Sequence, residues 1–286
     1  MSAQSGGARR LSQRTAFGLL FLATIVVVFP VLFIISQIIV NGVGSISWEF
    51  LTQAPSQASK AGGILPAIVG TFYLMLGTLV FSLPIGVLAG IYLAEYAPRN
   101  RLTRLINLTI MNLAGVPSIV YGLFGLGVFV LALNFGMSLL AASLTLACQA
   151  LAMTITTSRE AILTIPGEHR EGSLAVGATK WQTVRHIVLP QARPGIITGA
   201  VLAMSRAAGE TAPILVVGAA FLLPGLPQSP FDQFMALPYH LYTVAAHVPG
   251  MPEGTMWGVA LVLLVVVLSF DVLATIMRLR ARRLRV

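Results

Sequence analysis

Two ionisable residues stand out because of where they lie. Arg206 and Glu210 sit four positions apart inside an otherwise apolar stretch, SRAAGETAPILVVGAA, which runs from Ser205 to Ala220. On a helix that spacing puts both side chains on one face, one turn apart. A charged group at membrane depth costs ~2.5–3.5 kcal/mol on insertion scales, so it faces a cavity and finds a partner. Two readings are open. The pair is a mutual salt bridge that holds a bundle together. Alternatively, Arg206 offers its planar fork to a passing oxyanion, and Glu210 competes for that fork and keeps the site weak enough to release. Ser205 and Thr211 flank the pair with hydroxyl donors.

A second cluster, REAILTIPGEHREGSLAVGATKWQTVRHIVLPQARPG from Arg159 to Gly195, is charged and polar where the flanking chain is not. Pro166-Gly167 stops whatever helix precedes it, and Glu168 to Val176 reads as a short helix. Gly177 permits a sharp bend. Thr179 to Ile187 then reads as a second helix capped by Thr179 and ended by Pro190 and Pro194. Two short helices at an angle, with Trp181 and Ile187 among charges, make a protrusion shaped to touch something.

Other residues carry less. Ser118 and Tyr121 lie beside Pro117 and line a path or merely pack. Asp271 stands about two turns from Arg278, which favours a local ion pair. His240 and His247, among Tyr239, Tyr242 and several prolines, read as surface packing or a docking face rather than a metal site.

These residues must be held by something that lives in lipid. Of 286 residues, 56% are apolar and 9% are charged, whereas soluble domains carry about 25% charged residues. The lone Cys148 excludes an internal disulfide, and no Cys/His cluster has metal spacing, so neither metal nor cofactor is expected. The net charge of +9 is concentrated between apolar runs. Arg9, Arg10 and Arg14 precede the first run, Arg99, Arg101 and Arg104 follow the second, and Arg278 to Arg285 close the chain. With no aromatic interleaving, this is positive-inside sorting rather than nucleic-acid binding.

The runs give an all-α bundle of six spans. They are Ala16 to Val40, Ala61 to Ala94, two within Leu105 to Ser158 divided at Asn134-Phe135-Gly136, about Gly195 to Ala220, and about Thr255 to Met277. Both termini then fall in the cytoplasm with every basic loop. The loops at 41–60, around Asn134 and at 221–254 fall outside and carry only Lys60 as a cation. The first run is too long for a signal peptide and reads as an anchor. Gly86/Gly90 and Gly195/Gly199 have the G-x-x-x-G spacing of close helix contacts. Pro84 and Pro117 predict kinks.

At the second cluster the chain resembles a known family. The pattern E-A-A, three residues, G, nine residues, I-x-L-P marks the permeases of ATP-binding-cassette importers. Here Glu171, Gly177, Ile187, Leu189 and Pro190 hold its places, with Gly172-Ser173 where the family has Ala-Ala. The stretches GTFYLMLGTLVFSLPIGVLAGIYLAEYAP, NLAGVPSIVYGLFGLGVF, EGSLAVGATKWQT and SRAAGETAPILVVGAA look like phosphate-importer permeases of the PstA type. The resemblance implies a MetI-like type I permease fold in the bacterial inner membrane. It divides the chain into a cytoplasmic tail (1–15), an anchor helix (16–40), a permease core (61–278) and a basic tail (279–286), with 159–194 as the loop that couples to an ATPase. Implied partners are a sister permease, two cytoplasmic ATP-binding subunits, an extracytoplasmic phosphate-binding protein, phosphate itself and membrane lipid. Glu171 then pairs with a cation on the ATPase, or only solubilises its own helix. The chain has no G-x-x-x-x-G-K-[ST], so ATP hydrolysis falls to a partner. The rival readings are an importer of another oxyanion such as molybdate or sulfate, a secondary transporter, for which no inverted repeat is visible, and a membrane-embedded enzyme, for which no catalytic constellation is present.

Overall fold

A computed structural model describes residues 5–56, 61–223, 225–248 and 250–283. In chain order the helices are α1 (Ser5–Gly42), α2 (Trp48–Thr52), α3 (Leu65–Ile91), α4 (Arg101–Leu113), α5 (Ser118–Gly125), α6 (Leu139–Leu163), α7 (Gly167–Ala175), α8 (Lys180–Thr183), α9 (Leu189–Gly209), α10 (Ala212–Leu215), α11 (Leu237–Ala246) and α12 (Glu253–Arg283). Wide π turns extend α3 over Tyr92–Tyr96, extend α5 over Leu126–Ala132, and join α8 to α9 over Val184–Val188. A two-residue antiparallel pair, β1 (Pro55–Ser56) and β2 (Ala61–Gly62), lies before α3. Lys60 and Arg285 fall outside the described residues.

Small residues set the centre. α6 is flanked by α3 and α9, and both glycine pairs point at it. A Cβ on Gly86 would stand 2.5 Å from Thr154 Cγ2, and one on Gly90 2.8 Å from Ser158 Cβ. On the opposite flank, Gly195 abuts Ala161 and Gly199 abuts Thr157. Without a hydrophobic effect between helices in lipid, such approach is what allows dispersion contacts to hold them. The threonines at these contacts satisfy their hydroxyls within the helix: Thr154 donates to the Ala150 carbonyl at 2.9 Å and Thr157 to that of Met153 at 2.9 Å. By contrast, α1 exposes its apolar side chains from Phe17 to Val40 almost throughout and touches the bundle mainly through α12.

Among the described residues, five helical segments are long and apolar enough to span a bilayer: Thr15–Ser45, Leu65–Tyr96, Leu139–Leu163, Lys180–Gly209 and Glu253–Arg280. The expected third span is a broken pair, bent by 101° between Arg101–Leu113 and Ser118–Ala132, and six spans result when that pair is taken as one. Pro117 therefore breaks the chain instead of kinking it. It lacks a donor and disfavours helix at the preceding residue, and Gly115 and Val116 close a turn back on Asn112 and Leu113 instead. Pro84, in contrast, is accommodated inside α3. Asn134 and Gly136, with φ of 55° and 67°, make the expected turn before α6.

The fifth span differs from expectation at both ends. Pro190 and Pro194 do not end a helix; the chain runs helically from Lys180 to Gly209. The π turn just before Pro190 widens the backbone where a proline ring would strike the preceding turn. At the far end the helix stops at Gly209, and Glu210 is its C-cap, extended at φ −76° and ψ 125°.

The middle of the 221–254 segment is packed into the bundle rather than lying at the surface. Phe234, Met235, Ala236 and Leu237 are fully buried, and the Leu237 N–H donates to Thr71 Oγ1 of α3 at 2.8 Å. His240 is buried with them, so the surface reading holds only for exposed His247, whose ring lies 5.0 Å from that of Tyr242.

Candidate functional site

The Arg206–Glu210 pair forms even though its helix ends between the two residues. Arg206 Nε lies 3.3 Å from Glu210 Oε1. Arg206 occupies the last turn of α9, where the helix dipole favours a cation, while Glu210 sits at the same negative end, where a carboxylate is disfavoured. A second donor compensates: Gln149 Nε2 of α6 reaches Glu210 Oε1 at 2.6 Å. Gln149 is the residue of the candidate site that sequence reading missed. An amide in the middle of an uncharged span is its signal, because a polar group there is costly unless it is used. Its Oε1 is buried without a partner. The carboxylate is therefore clamped from behind, with its side chain 16% exposed, and the Arg206 side chain is 58% exposed.

Beside the pair opens a cleft of about 490 Å³ lined by Ser205, Arg206, Gly209, Glu210, Val267 and Asp271, among others. Asp271 makes no ion pair with Arg278, as had been expected. It faces the cleft, and Arg278 lines a separate groove with Glu160. Ser205 is buried and its hydroxyl donates to the Val267 carbonyl at 3.3 Å, tying α9 to α12. Thr211 is half-buried at the start of α10. Tyr121 is buried and donates to the Leu113 carbonyl at 2.9 Å, bracing the α4–α5 bend. Ser118 is half-buried at the head of α5. An exposed guanidinium with two carboxylates nearby can hold an oxyanion loosely and let it go.

The bent protrusion is present. α7 begins after Pro166, and the chain reverses at Gly177, whose φ is +85°. Thr179 and Gln182 form a reciprocal capping box, with Thr179 Oγ1 accepting from the Gln182 N–H and Gln182 Oε1 from the Thr179 N–H. The hydroxyls of Ser173 and Thr183 meet at 2.9 Å and lock α7 against α8. Val184 and Val188 bury against Ile162 and Ile165, and Leu189 packs on that cluster. Glu171, Gly172 and Gly177 are exposed, and Ile187 and Pro190 are half-buried. Trp181, Leu174 and Val176 present apolar surface outward, Val176 at 85% exposure. The protrusion is rigid inside and adhesive outside.

Two cations fasten it to the end of α3. Arg170 of α7 donates to Glu95, and Lys180 of α8 lies 5.0 Å from the centre of the Tyr96 ring. Neither contact was foreseen from sequence, because the partners are far apart in the chain.

Comparison with known proteins gives the family and the fold. Residues 86–283 match the family described as "Binding-protein-dependent transport system inner membrane component". The chain is 34% identical over 207 residues to the probable ABC transporter permease protein YqgI of Bacillus subtilis, covering 72% of this chain and 70% of that one. It is 32% identical over 286 residues to the phosphate transport system permease protein PstA 1 of Mycobacterium tuberculosis, covering 97% and 91%. Among solved structures, the inward-facing MetNI methionine ABC transporter shares the fold, with a TM-score of 0.59 at 22% identity over 75% of this chain and 96% of that one. With that family model matching residues 86–283, well over half of the sequence, the chain belongs to the binding-protein-dependent transport system inner membrane components.

Proposed function

We propose that this chain is one of two permease subunits of an ATP-driven importer of inorganic phosphate. The observation that carries the reading is the arrangement at the end of α9, where Arg206 is exposed while Glu210 is clamped by Gln149. Likeness to a phosphate permease over nearly the whole chain supports the choice of ion. So does the chemistry. Phosphate keeps a proton at neutral pH and can donate it to a carboxylate, whereas sulfate and molybdate have none to give. Glu210 and Asp271 beside Arg206 favour the protonated anion.

In this reading a sister permease supplies the facing wall, an extracytoplasmic binding protein delivers phosphate, and two cytoplasmic ATP-binding subunits hydrolyse ATP. Both termini and the α7–α8 protrusion lie on the cytoplasmic side, where the basic loops concentrate. Closure of the ATPase pair pulls the protrusion. Glu171, Gly172 and Gly177 lie on its outward side, and Ile187, Leu189 and Pro190 carry the pull into α9. Arg206 and Glu210 ride at the other end of that helix, flanked by Ser205 and Thr211.

Uptake of labelled phosphate into proteoliposomes holding the complete transporter tests this. Arg206→Ala is expected to abolish uptake while the subunits still assemble. Normal uptake by that variant, uptake without ATP, or equal competition by sulfate would each reject the proposal.

A further inference from the structure

We propose that the cavity under α4 is a binding site for the headgroup of an anionic phospholipid. The cavity has a volume of about 620 Å³ and lies between α4, the end of α3 and the end of α6. Four arginines line it, Arg99, Arg101, Arg104 and Arg159, and no carboxylate does. Among the described residues none of the four has an ion pair or hydrogen bond, and Arg159 Nε is buried with no partner. Four cations converging on one space repel each other unless an anion joins them, and a buried guanidinium nitrogen without an acceptor is costly.

The setting selects the anion. α4 is amphipathic and lies at 101° to the span that follows it. A helix at right angles to a span, carrying both arginines and bare apolar side chains, lies in the plane of the membrane surface. Leu102, Leu105, Leu108 and Met111 of α4 are exposed, and Leu108 and Met111 also line the cavity. A phosphodiester among the arginines would therefore have its acyl chains beside apolar side chains. Free phosphate would use the arginines and leave that apolar rim uncovered. Basic pockets between membrane helices at the cytoplasmic face take anionic headgroups in this way.

Native mass spectrometry of the full chain with its co-purifying subunits tests the site, using nanodiscs of equal parts phosphatidylglycerol and phosphatidylcholine. The wild type should retain phosphatidylglycerol over phosphatidylcholine by about tenfold or more. The double variant Arg104→Gln/Arg159→Gln should fall to within about twofold, the loss expected from removing two arginine contacts. Arg104→Gln alone, on exposed α4, should give an intermediate value and covers the case in which the double variant fails to fold. Arg278→Gln/Arg280→Gln, at another basic site, should behave as wild type. No preference in the wild type, an unchanged double variant, or an equal loss in the Arg278/Arg280 control overturns the proposal. It is also overturned if inorganic phosphate strips the lipid and labelled phosphate binds Arg104 and Arg159 in discs of phosphatidylcholine alone. Loss of ATPase co-purification in the double variant with lipid retention unchanged would make the cavity a protein-binding face, and equally overturns it.

Discussion

Arg170 of the protrusion closes on Glu95 at the end of α3 with two donors on one oxygen, Nε at 2.9 Å and Nη2 at 2.7 Å. The same guanidinium donates through Nη1 to the Ile165 carbonyl at 2.6 Å and through Nη2 to that of Ile162 at 2.9 Å. One side chain therefore caps the C-terminus of α6, anchors α7 and holds α3. The Glu95 side chain is 8% exposed and that of Arg170 22%, so the pair is largely shielded from water and salt. Breaking such a pair by removing one partner costs about 3–5 kcal/mol when the remaining charge stays buried. Glu95→Gln, which keeps an acceptor but not the charge, should fold yet transmit motion poorly. We expect ATP hydrolysis to persist while phosphate uptake per ATP falls about tenfold, equivalent to ~1.4 kcal/mol of lost coupling. Parallel loss of both, or of neither, would show that the contact is only structural.

At the other end of α9, Glu210→Gln keeps the shape of the site and removes its charge. Arg206 then loses its competitor, so anions should bind tighter and leave more slowly. The expected outcome is a lower KM and a lower maximal rate for phosphate, with sulfate becoming a competitor because the proton acceptor has gone. Competition between labelled phosphate and sulfate measures this directly, and an unchanged ratio would remove Glu210 from the selectivity argument.

What could be read from the chain alone was local. Gly86/Gly90 and Gly195/Gly199 announce close contact by spacing, and the structure presses both pairs onto α6. The Gly177 bend and the Thr179 cap follow from backbone preference and short-range hydrogen bonding. What could not be read was which distant groups meet. Gln149 and Glu210 are 61 residues apart, Glu95 and Arg170 are 75 apart, and nothing in either neighbourhood names the other. Proline was ambiguous for a related reason. Pro84, Pro194 and Pro117 are the same residue, yet two sit inside helices and one stands in the break before a helix, depending on how neighbouring turns satisfy the backbone. The burial of His240 was hidden because the 221–254 segment has no apolar period long enough to reveal that its second half packs against α3.

Packing on α6 gives a separate prediction. Gly199 faces Thr157, so a side chain there has no room until α9 moves away from α6. Gly199→Val should destabilise the bundle by about 1–3 kcal/mol, the cost of overpacking a tight contact. Gly127, which has nothing within contact range, should accept alanine with no measurable loss. Thermal unfolding in detergent distinguishes the two positions.

His240 makes stability depend on pH. Its ring stacks on Phe221, with centroids 6.4 Å apart, and its Nδ1 is buried without a partner. Burial pushes its pKa from 6.5 down to about 4, against a smaller opposing pull from the Phe221 backbone. Between those values the unfolded chain takes up a proton that the folded chain refuses. Stability is therefore full above about pH 6.5 and falls as pH drops, by up to ~1.4 kcal/mol per unit. His240→Leu removes the titrating group and should flatten this part of the profile, whatever it does to stability at neutral pH. Unfolding midpoints of both proteins, measured from about pH 7 to pH 4.5, decide the matter by the difference in slope. Equal slopes would mean that His240 takes up its proton as readily in the folded bundle as in the unfolded chain.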